Sequence, residues 1–163
     1  MKPLWIIAII IICAVFGIML SSIISNQNQA TIYLFKDGSL AAVKRPVEKG
    51  SKKTPMVALN LLLKGSTDKE KWDGYTTQIP EGVEIRDVSI SSGIAEASFS
   101  RKLEQYGGGA TKVQGMIAQI VYTLTEFGNI KKVQVLVEGE KNLVLGGEGF
   151  IIDSPMGRED VRF

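Results

Sequence analysis

The chain has 163 residues, a net charge of +2, a single cysteine and no histidine. Its positive charge is not clustered as a nucleic-acid-binding surface requires, so we expect no nucleic acid partner. The absence of histidine removes the usual general base and a common metal ligand, and a lone cysteine excludes an intrachain disulfide. We therefore expect no enzymatic activity, no metal site and no cofactor.

An apolar segment without a charged residue lies at the start of the chain, from Leu4 to Ile24. A helix of about twenty residues is about 30 Å long and crosses the hydrocarbon core of a bilayer. We therefore predict a transmembrane anchor over residues 1–25, in contact with membrane lipid. The residues predicted to contact lipid include Leu4, Trp5, Ile12, Phe16, Leu20 and Ile24.

The charge beside this segment predicts its orientation. Lys2 lies on the amino-terminal side, and the next charged residue beyond the segment is Lys36. Because positive charge near a span stays on the cytoplasmic side, the amino terminus is predicted to be cytoplasmic. Residues 26–30 then form a short linker, and residues 31–163 form one extracytoplasmic domain of ordinary size at the cell membrane.

Two alternatives to an uncleaved anchor stay open. A cleaved signal peptide has a shorter apolar region with small residues before the cleavage site, which Ile18 to Ser21 do not provide. A lipoprotein requires a cysteine preceded by small residues, whereas Cys13 follows three isoleucines. The uncleaved anchor is the interpretation that we favour.

Turn and cap signals divide the domain into strands and helices. Asp37-Gly38 is a hairpin turn signal, Thr54-Pro55 is an N-cap followed by a first-turn proline, and Thr111 with Gln114 matches a capping box. A change of apolar parity predicts a bulge near Arg86-Asp87. The predicted elements in chain order are strands over 31–35 and 40–43, a helix from 55 that ends at Gly65, strands over 83–91 and 94–99, a helix whose apolar stripe runs from Val113 to Phe127, a strand over 133–137 and a short edge strand within 143–152.

This order predicts an α+β fold. Each helix carries an apolar stripe and the strands alternate, so each element buries one face. We predict two helices packed on one face of a mixed or antiparallel sheet, in the order ββαββαβ, preceded by one transmembrane helix.

The connection from Ser66 to Gly82 is long and polar, and loops of this length in compact domains are often functional. Within it, Trp72 and Tyr75 are aromatic side chains of the kind that stack on sugar rings or anchor a partner. A basic run before the first helix contains Lys52 and Lys53. These four residues are the candidate contacts with a partner or ligand; the alternative is that the aromatic rings cover the core edge and the lysines are solvated.

Two segments resemble binding or catalytic sites only weakly, and an ordinary structural role explains each of them better. Gly107 to Lys112 opens the second predicted helix, where backbone N–H groups bind anions, but the spacing of a P-loop is absent. Glu138, Glu140 and Glu148 lie near one another, and a glycosidase requires two such carboxylates across a cleft, but all three lie at polar strand positions or in turns, where acidic residues are normally solvated. We favour a flexible loop for the glycine-rich segment and solvated surface positions for the glutamates.

An ordered set of short motifs over residues 31–160 resembles the GerM domain of sporulation and germination proteins. The matching segments are Ala58–Gly65, Ile79–Gly82, Val88–Ile90 with Gly93, Ala95, Phe99–Ser100, Tyr122–Phe127, Val133–Val135, Gly139, Leu145–Gly147 and Pro155–Arg158. Ser66 stands where the family often has proline, and the chain has one such domain rather than two. The resemblance implies an extracytoplasmic, non-enzymatic module similar to the ring-building folds of secretion and sporulation channels, without catalytic residues.

The sequence therefore predicts a membrane-anchored scaffold of the cell envelope that binds other envelope proteins or associates with itself. The alternative is a module that binds peptidoglycan or another wall polymer through Trp72, Tyr75 and the basic loop.

Overall fold

A computed structural model describes residues 9–16, 28–105, 107–141, 143–145 and 150–162. Residues 9–16 are helical and are termed α1. Within the described ranges, no helix has both the length and the apolar character needed to cross a bilayer. Of the predicted lipid contacts, Ile12 and Phe16 lie in α1 and are about two-thirds exposed (67% and 64%). The remaining ones, Leu4, Trp5, Leu20 and Ile24, lie outside the described residues.

The domain begins with a three-stranded sheet. Strands β1 (Gln29–Lys36) and β2 (Ser39–Pro46) form the predicted antiparallel hairpin, with positive φ at both turn residues, Asp37 and Gly38. A short strand, β3 (Tyr75–Thr76), pairs with the end of β1 on its other side, so the order is β2-β1-β3.

Two helices lie between β2 and β3. In α2 (Pro55–Leu63), the hydroxyl of Thr54 accepts a hydrogen bond from the N–H of Val57, so the predicted cap is confirmed. The connection after α2 was predicted to be a loop, and this prediction is wrong, because it contains α3 (Asp68–Trp72). Thr67 and Glu70 form a complete capping box, which satisfies the first N–H groups of this short helix.

A second three-stranded sheet follows, in the order β4-β5-β6. Strands β4 (Ile85–Ser91) and β5 (Ile94–Phe99) are antiparallel, and their register shifts between Ile85 and Asp87, which confirms the predicted bulge. Strand β6 (Lys132–Val137) is parallel to β5. A parallel neighbour requires a long crossover, and the connection from β5 to β6 contains a 3₁₀ turn (Arg101–Glu104) and the helix α4 (Ala110–Leu124).

The predicted ends of α4 are wrong. The N-cap residue is Gly109, which makes no side-chain hydrogen bond, so Thr111 lies inside the helix and does not form a capping box. At the other end α4 stops at Leu124, before Phe127. The apolar stripe therefore predicts correctly that a helix is present, but not the residues at which it begins and ends.

The carboxyl-terminal segment completes the core. Strands β7 (Leu143–Leu145) and β8 (Phe150–Ile152) pair with each other as a separate two-stranded sheet, instead of forming one edge strand. Further along, Met156 forms a bridge to Val133 of β6, and the side chain of Val161 is fully buried.

The fold is α+β, as predicted, but the prediction of one sheet is wrong, because the described strands form three sheets. One apolar cluster joins them through α2 and α4. Its largest fully buried members are Ile32, Leu34, Leu59, Leu62, Phe99, Leu103, Met116, Ile117, Ile120, Leu124, Ile130 and Leu145.

Polar side chains of α4 satisfy the edge of β1 beyond its short pairing with β3. The Tyr33 N–H donates to the hydroxyl of Thr123 (3.1 Å), and the Gln119 amide donates to the Tyr33 carbonyl (2.9 Å). The oxygen of the same amide accepts from the N–H of Gln78 (2.8 Å) and the hydroxyl of Thr77 (3.3 Å). Gln119 and Thr123 are fully buried, so these bonds replace a missing neighbouring strand.

We expect the substitution Gln119→Leu to lower the free energy of unfolding by about 3 kcal/mol. It leaves buried backbone groups at Tyr33 and Gln78 without a partner, and each such group costs about 1–3 kcal/mol. Urea denaturation followed by circular dichroism measures the loss. Gln114→Leu is the matched control, because Gln114 is half-exposed on the same helix. Equal loss in the two variants would contradict the role given to Gln119.

Candidate interaction surface

The two predicted aromatic contacts have different surroundings. Trp72, the last residue of α3, is 91% exposed. Tyr75 is half-buried in β3, packs against the main core, and lies under the ammonium group of Lys36, which is 4.8 Å from the ring centre. Trp72 is therefore available for contact with another molecule, whereas Tyr75 already has partners within the domain.

The two predicted basic contacts also differ. Both are exposed, but the ammonium group of Lys53 lies 5.7 Å from the ring centre of Phe127, just beyond α4. The structure thus gives Lys53 an intramolecular contact far along the sequence, which the basic run alone did not indicate.

The helix α2 has an apolar surface on nearly all sides. Asn60 is its single polar residue, and only one side of the helix, formed by Ala58, Leu59 and Leu62, is fully buried. The apolar residues that remain half-exposed are Met56, Val57, Leu61 and Leu63, of which Val57, Leu61 and Leu63 also pack against the core with part of their side chains. Surface helices normally carry polar residues on their outer side. The outward face of α2, defined by Met56, Val57, Asn60, Leu61 and Leu63, is therefore our candidate interaction surface.

Two grooves flank this outward face. One, of about 280 Å³, lies between α2 and the loop after β2, with an apolar wall that includes Val47 and Val57. The other, of about 610 Å³, lies between α2 and the residues that lead into β4, from Val83 to Ile85. Asn60 and Lys64 line both grooves, so the two form one surface across the helix.

A largely buried ion pair fixes the carboxyl-terminal end of α2. The guanidinium of Arg45 donates to the carbonyls of Leu61 (2.7 Å) and Gly65 (2.6 Å), and to both carboxylate oxygens of Glu70. Arg45 is only 6% exposed. The ion pair therefore joins β2, the end of α2 and α3, and satisfies carbonyls that the helix end leaves open.

The charge of Glu70 depends on this arrangement. Burial alone disfavours the carboxylate, but the hydrogen bonds from Arg45 and Thr67 and the charge of Arg45 outweigh it, so the pKa of Glu70 lies below its ordinary value. A carboxyl group whose pKa is lowered by folding adds stability above its unfolded pKa, and that stability is lost as the pH falls through the folded pKa.

A second cluster holds the tail on the end of α4. The guanidinium of Arg158 donates to Glu126 (2.5 Å) and lies over the rings of Tyr33 (5.4 Å) and Tyr122 (4.8 Å). The hydroxyl of Tyr33 donates a hydrogen bond to the same carboxylate (2.7 Å). Burial, and to a lesser extent this hydrogen bond, raises the pKa of Tyr33. Because the polar side chains of this cluster bond to one another, we assign it a structural role.

Acidic residues elsewhere are also paired. The carboxylate of Glu138 accepts from Arg86 (3.3 Å) and from the N–H of Arg101 (3.0 Å), and the hydrogen bond from Arg86 lowers its pKa. Asp160 accepts from the N–H of Gly157 (2.8 Å). Within the described ranges, no group of three or more metal-ligating side chains comes together.

The substitution Glu70→Gln is expected to destabilise the domain at pH 7 by about 2 kcal/mol, the usual contribution of a hydrogen bond to a charged group. Because the pKa of Glu70 is lowered, the difference between the variant and the parent chain should shrink as the pH falls below the ordinary glutamate pKa of about 4.3 and through the lower pKa of the folded chain. Chemical denaturation across this pH range measures both effects.

Asp68→Asn is the control for this prediction. Asp68 lies on the same helix with a fully exposed carboxylate, 3.6 Å from Lys71, and exposed pairs contribute little. A pH-independent effect of Glu70→Gln, or an equal effect of Asp68→Asn, would contradict the ion-pair account.

The sequence is similar to one described family. The family model Germane, described as sporulation and spore germination, matches residues 31–143, from the first strand to the start of β7. No curated protein matches the chain.

Solved structures share the fold. The tandem GerMN domains of the sporulation protein GerM from Bacillus subtilis superpose with a TM-score of 0.68 at 25% identity, covering 81% of this chain and 46% of that one, so this chain spans about half its length. The first GerMN domain of the same protein gives a TM-score of 0.64 at 22% identity over 81% and 98% of the two chains. A putative lipoprotein from Clostridium perfringens gives 0.59 at 20% identity over 82% and 89%.

The family match covers most of the chain, and the structural matches extend over four-fifths of it. The chain therefore belongs to the Germane family of sporulation and spore germination proteins and carries a GerM-like domain.

Proposed function

We propose that this protein is a membrane-anchored scaffold of the cell envelope, whose GerM-like domain lies outside the cytoplasm and binds another envelope protein without catalysing a reaction. The observation that carries the proposal is the outward face of α2, which is apolar and half-exposed. Exposed apolar patches with a polar rim are typical of protein interaction sites.

Charge at the rim of this face indicates the chemistry of the partner. Lys64 lines both grooves and is exposed, and within the described residues it forms no ion pair. A partner that places apolar side chains in the grooves and a carboxylate against Lys64 would satisfy both features. Such a charge adds specificity and association rate more than affinity.

The anchoring part of the proposal is supported by the sequence between Leu4 and Ile24, which carries no charge, and by Lys2 before it. Asn28 lies where the domain begins, and its amide donates to the carbonyl of Val47 (3.2 Å). Because only three residues separate Ile24 from Asn28, an anchored chain would hold this end of the domain within about 15 Å of the membrane surface.

A photo-crosslinking amino acid at position 60 of the full chain, in cells of the source organism, tests the interaction. We expect a covalent adduct with an envelope protein, because Asn60 is exposed at the centre of the face. The additional substitution Lys64→Glu should strongly reduce this adduct, since it reverses the charge offered to the partner.

The same crosslinker at Thr111, an exposed position in the first turn of α4, is the control. Identical adducts from positions 60 and 111, or an adduct at 60 that Lys64→Glu leaves unchanged, would contradict a specific site on α2. Labelling of a cysteine placed at position 111, away from the proposed interface, by a membrane-impermeant reagent in whole cells, with Cys13→Ala as background, tests the orientation.

The second candidate function is binding of peptidoglycan, and the exposure of Trp72 favours it. An exposed indole beside Lys69 and Lys71 could stack on a sugar ring of a wall polymer. Sedimentation of the detergent-solubilised chain with purified cell wall distinguishes the two functions. Sedimentation that Trp72→Ala abolishes and Lys64→Glu preserves would support the wall polymer as ligand.

A further inference from the structure

The free edge of β4 points to a second interaction surface, separate from the face of α2. β4 is an outer strand of its sheet, and no described strand pairs with its other side. An unpaired edge presents backbone N–H and C=O groups that can hydrogen-bond another strand. This surface goes beyond the proposed function because it concerns a different element and a different partner.

The turn after β4 defines its hydrogen-bonding phase. Ser92 and Gly93 have φ values of 50° and 79°, as in the two-residue turns that suit a hairpin. The residues that flank such a turn, here Ser91 and Ile94, form a hydrogen-bonded pair.

Hydrogen-bonded and non-hydrogen-bonded pairs alternate along an antiparallel ladder. Counting back from the turn, Ser89 and Asp87 direct their N–H and C=O groups toward β5. The same groups of Val88 and Ile90 therefore point to the free edge, where they are available to a further strand.

Charge divides this edge into a protected part and an open part. The bulge at Arg86 and the charge of Asp87 protect the first part, as is common at sheet edges. The stretch from Val88 to Ser91 carries no charge, and Ile90 is 41% exposed. A short apolar and uncharged edge is thus open at the end near the turn.

We propose that β4 pairs in antiparallel orientation with β4 of a second copy of this chain, with Ser89 facing Ser89. In this register the outward-pointing groups of Val88 meet those of Ile90 on the other copy, twice by symmetry, and each pair exchanges both of its hydrogen bonds. The two sheets then form one continuous six-stranded sheet across the dimer, and the exposed side chain of Ile90 packs beside Val88.

The second copy is the occupant because the edge is complementary to itself in this register. Asp87 faces the uncharged Ser91, and the two Asp87 side chains are four residues apart along the strand, about 13 Å. Centring the pairing on Val88 would place Arg86 against Ile90, and centring it on Ile90 would place Val88 against the turn residue Ser92. The register centred on Ser89 places both apolar residues of each copy, Val88 and Ile90, against an apolar residue of the other copy, and it leaves Arg86 and Asp87 unopposed by like charge.

Cysteine crosslinking of the full chain in membranes tests this register. In a Cys13→Ala background, the only native thiol is absent. Ser89→Cys should form a disulfide-linked dimer on mild oxidation, because facing residues of a non-hydrogen-bonded pair have Cα atoms about 4.5 Å apart, within disulfide reach. Ser91→Cys should stay monomeric, because the two residues 91 would be about 13 Å apart.

Ile90→Lys should abolish the dimer formed by Ser89→Cys, because it places a charge in the apolar pair. Val144→Lys is the matched control, an equal change at an apolar residue of β7 that is 65% exposed, and it should leave the dimer intact. Equal crosslinking of Ser89→Cys and Ser91→Cys, or no dimer with Ser89→Cys, would overturn the proposal. Crosslinking from position 60 to an envelope protein is independent of this result, so either proposal can fail alone.

Discussion

The edge of β1 that lies away from β2 is the constraint on which the domain depends. Only the last two residues of β1 pair with β3, so the edge at Tyr33 would otherwise leave an N–H and a carbonyl buried without partners. Gln119 and Thr123, one turn apart on α4, supply these hydrogen bonds, and Gln119 also binds the backbone of Gln78. Because one helix takes the place of a strand, the described strands form separate sheets, which one large apolar cluster joins. The approach is close: a Cβ atom at Gly115 would lie 3.2 Å from the ring of Phe35.

The position of α4 beside β1 also explains why the candidate surface lies on α2. Since α4 fills the space beside β1 and its side chains are mostly buried, α2 is the helix that lies at the margin of the core. Arg45 fixes the end of α2 through the carbonyls of Leu61 and Gly65 and through its ion pair with Glu70. Its outer side carries the half-exposed apolar residues that we propose as the partner contact. One of the grooves beside α2 also reaches Ile85, the first residue of β4.

The sequence predicted the elements whose signals are local. The Asp37-Gly38 turn, the Thr54 cap, the bulge near Arg86 and the stripe of α4 all depend on residues a few positions apart, and all are found. The helix α3 was not predicted, because the polar composition of this segment indicated a loop. Thr67 and Glu70 nevertheless have the spacing of a capping box. The division into three sheets could not be predicted, since it depends on contacts such as that of Gln119 with Tyr33, 86 residues apart. Among the candidate contacts, Tyr75 and Lys53 have partners distant in sequence, Lys36 and Phe127. The apolar circumference of α2, in contrast, is visible in the sequence itself.

The central claim is that the outward face of α2 is covered in the cell, and methionine oxidation measures this directly. Met56 lies on that face and is half-exposed in the isolated domain, whereas Met116 is fully buried in α4 and serves as the internal reference. The rates of oxidation of the full chain in intact envelopes and after purification should be compared by mass spectrometry. The account predicts that Met56 is protected in envelopes and becomes reactive on purification, while Met116 stays protected in both. Equal reactivity of Met56 in the two states would contradict it.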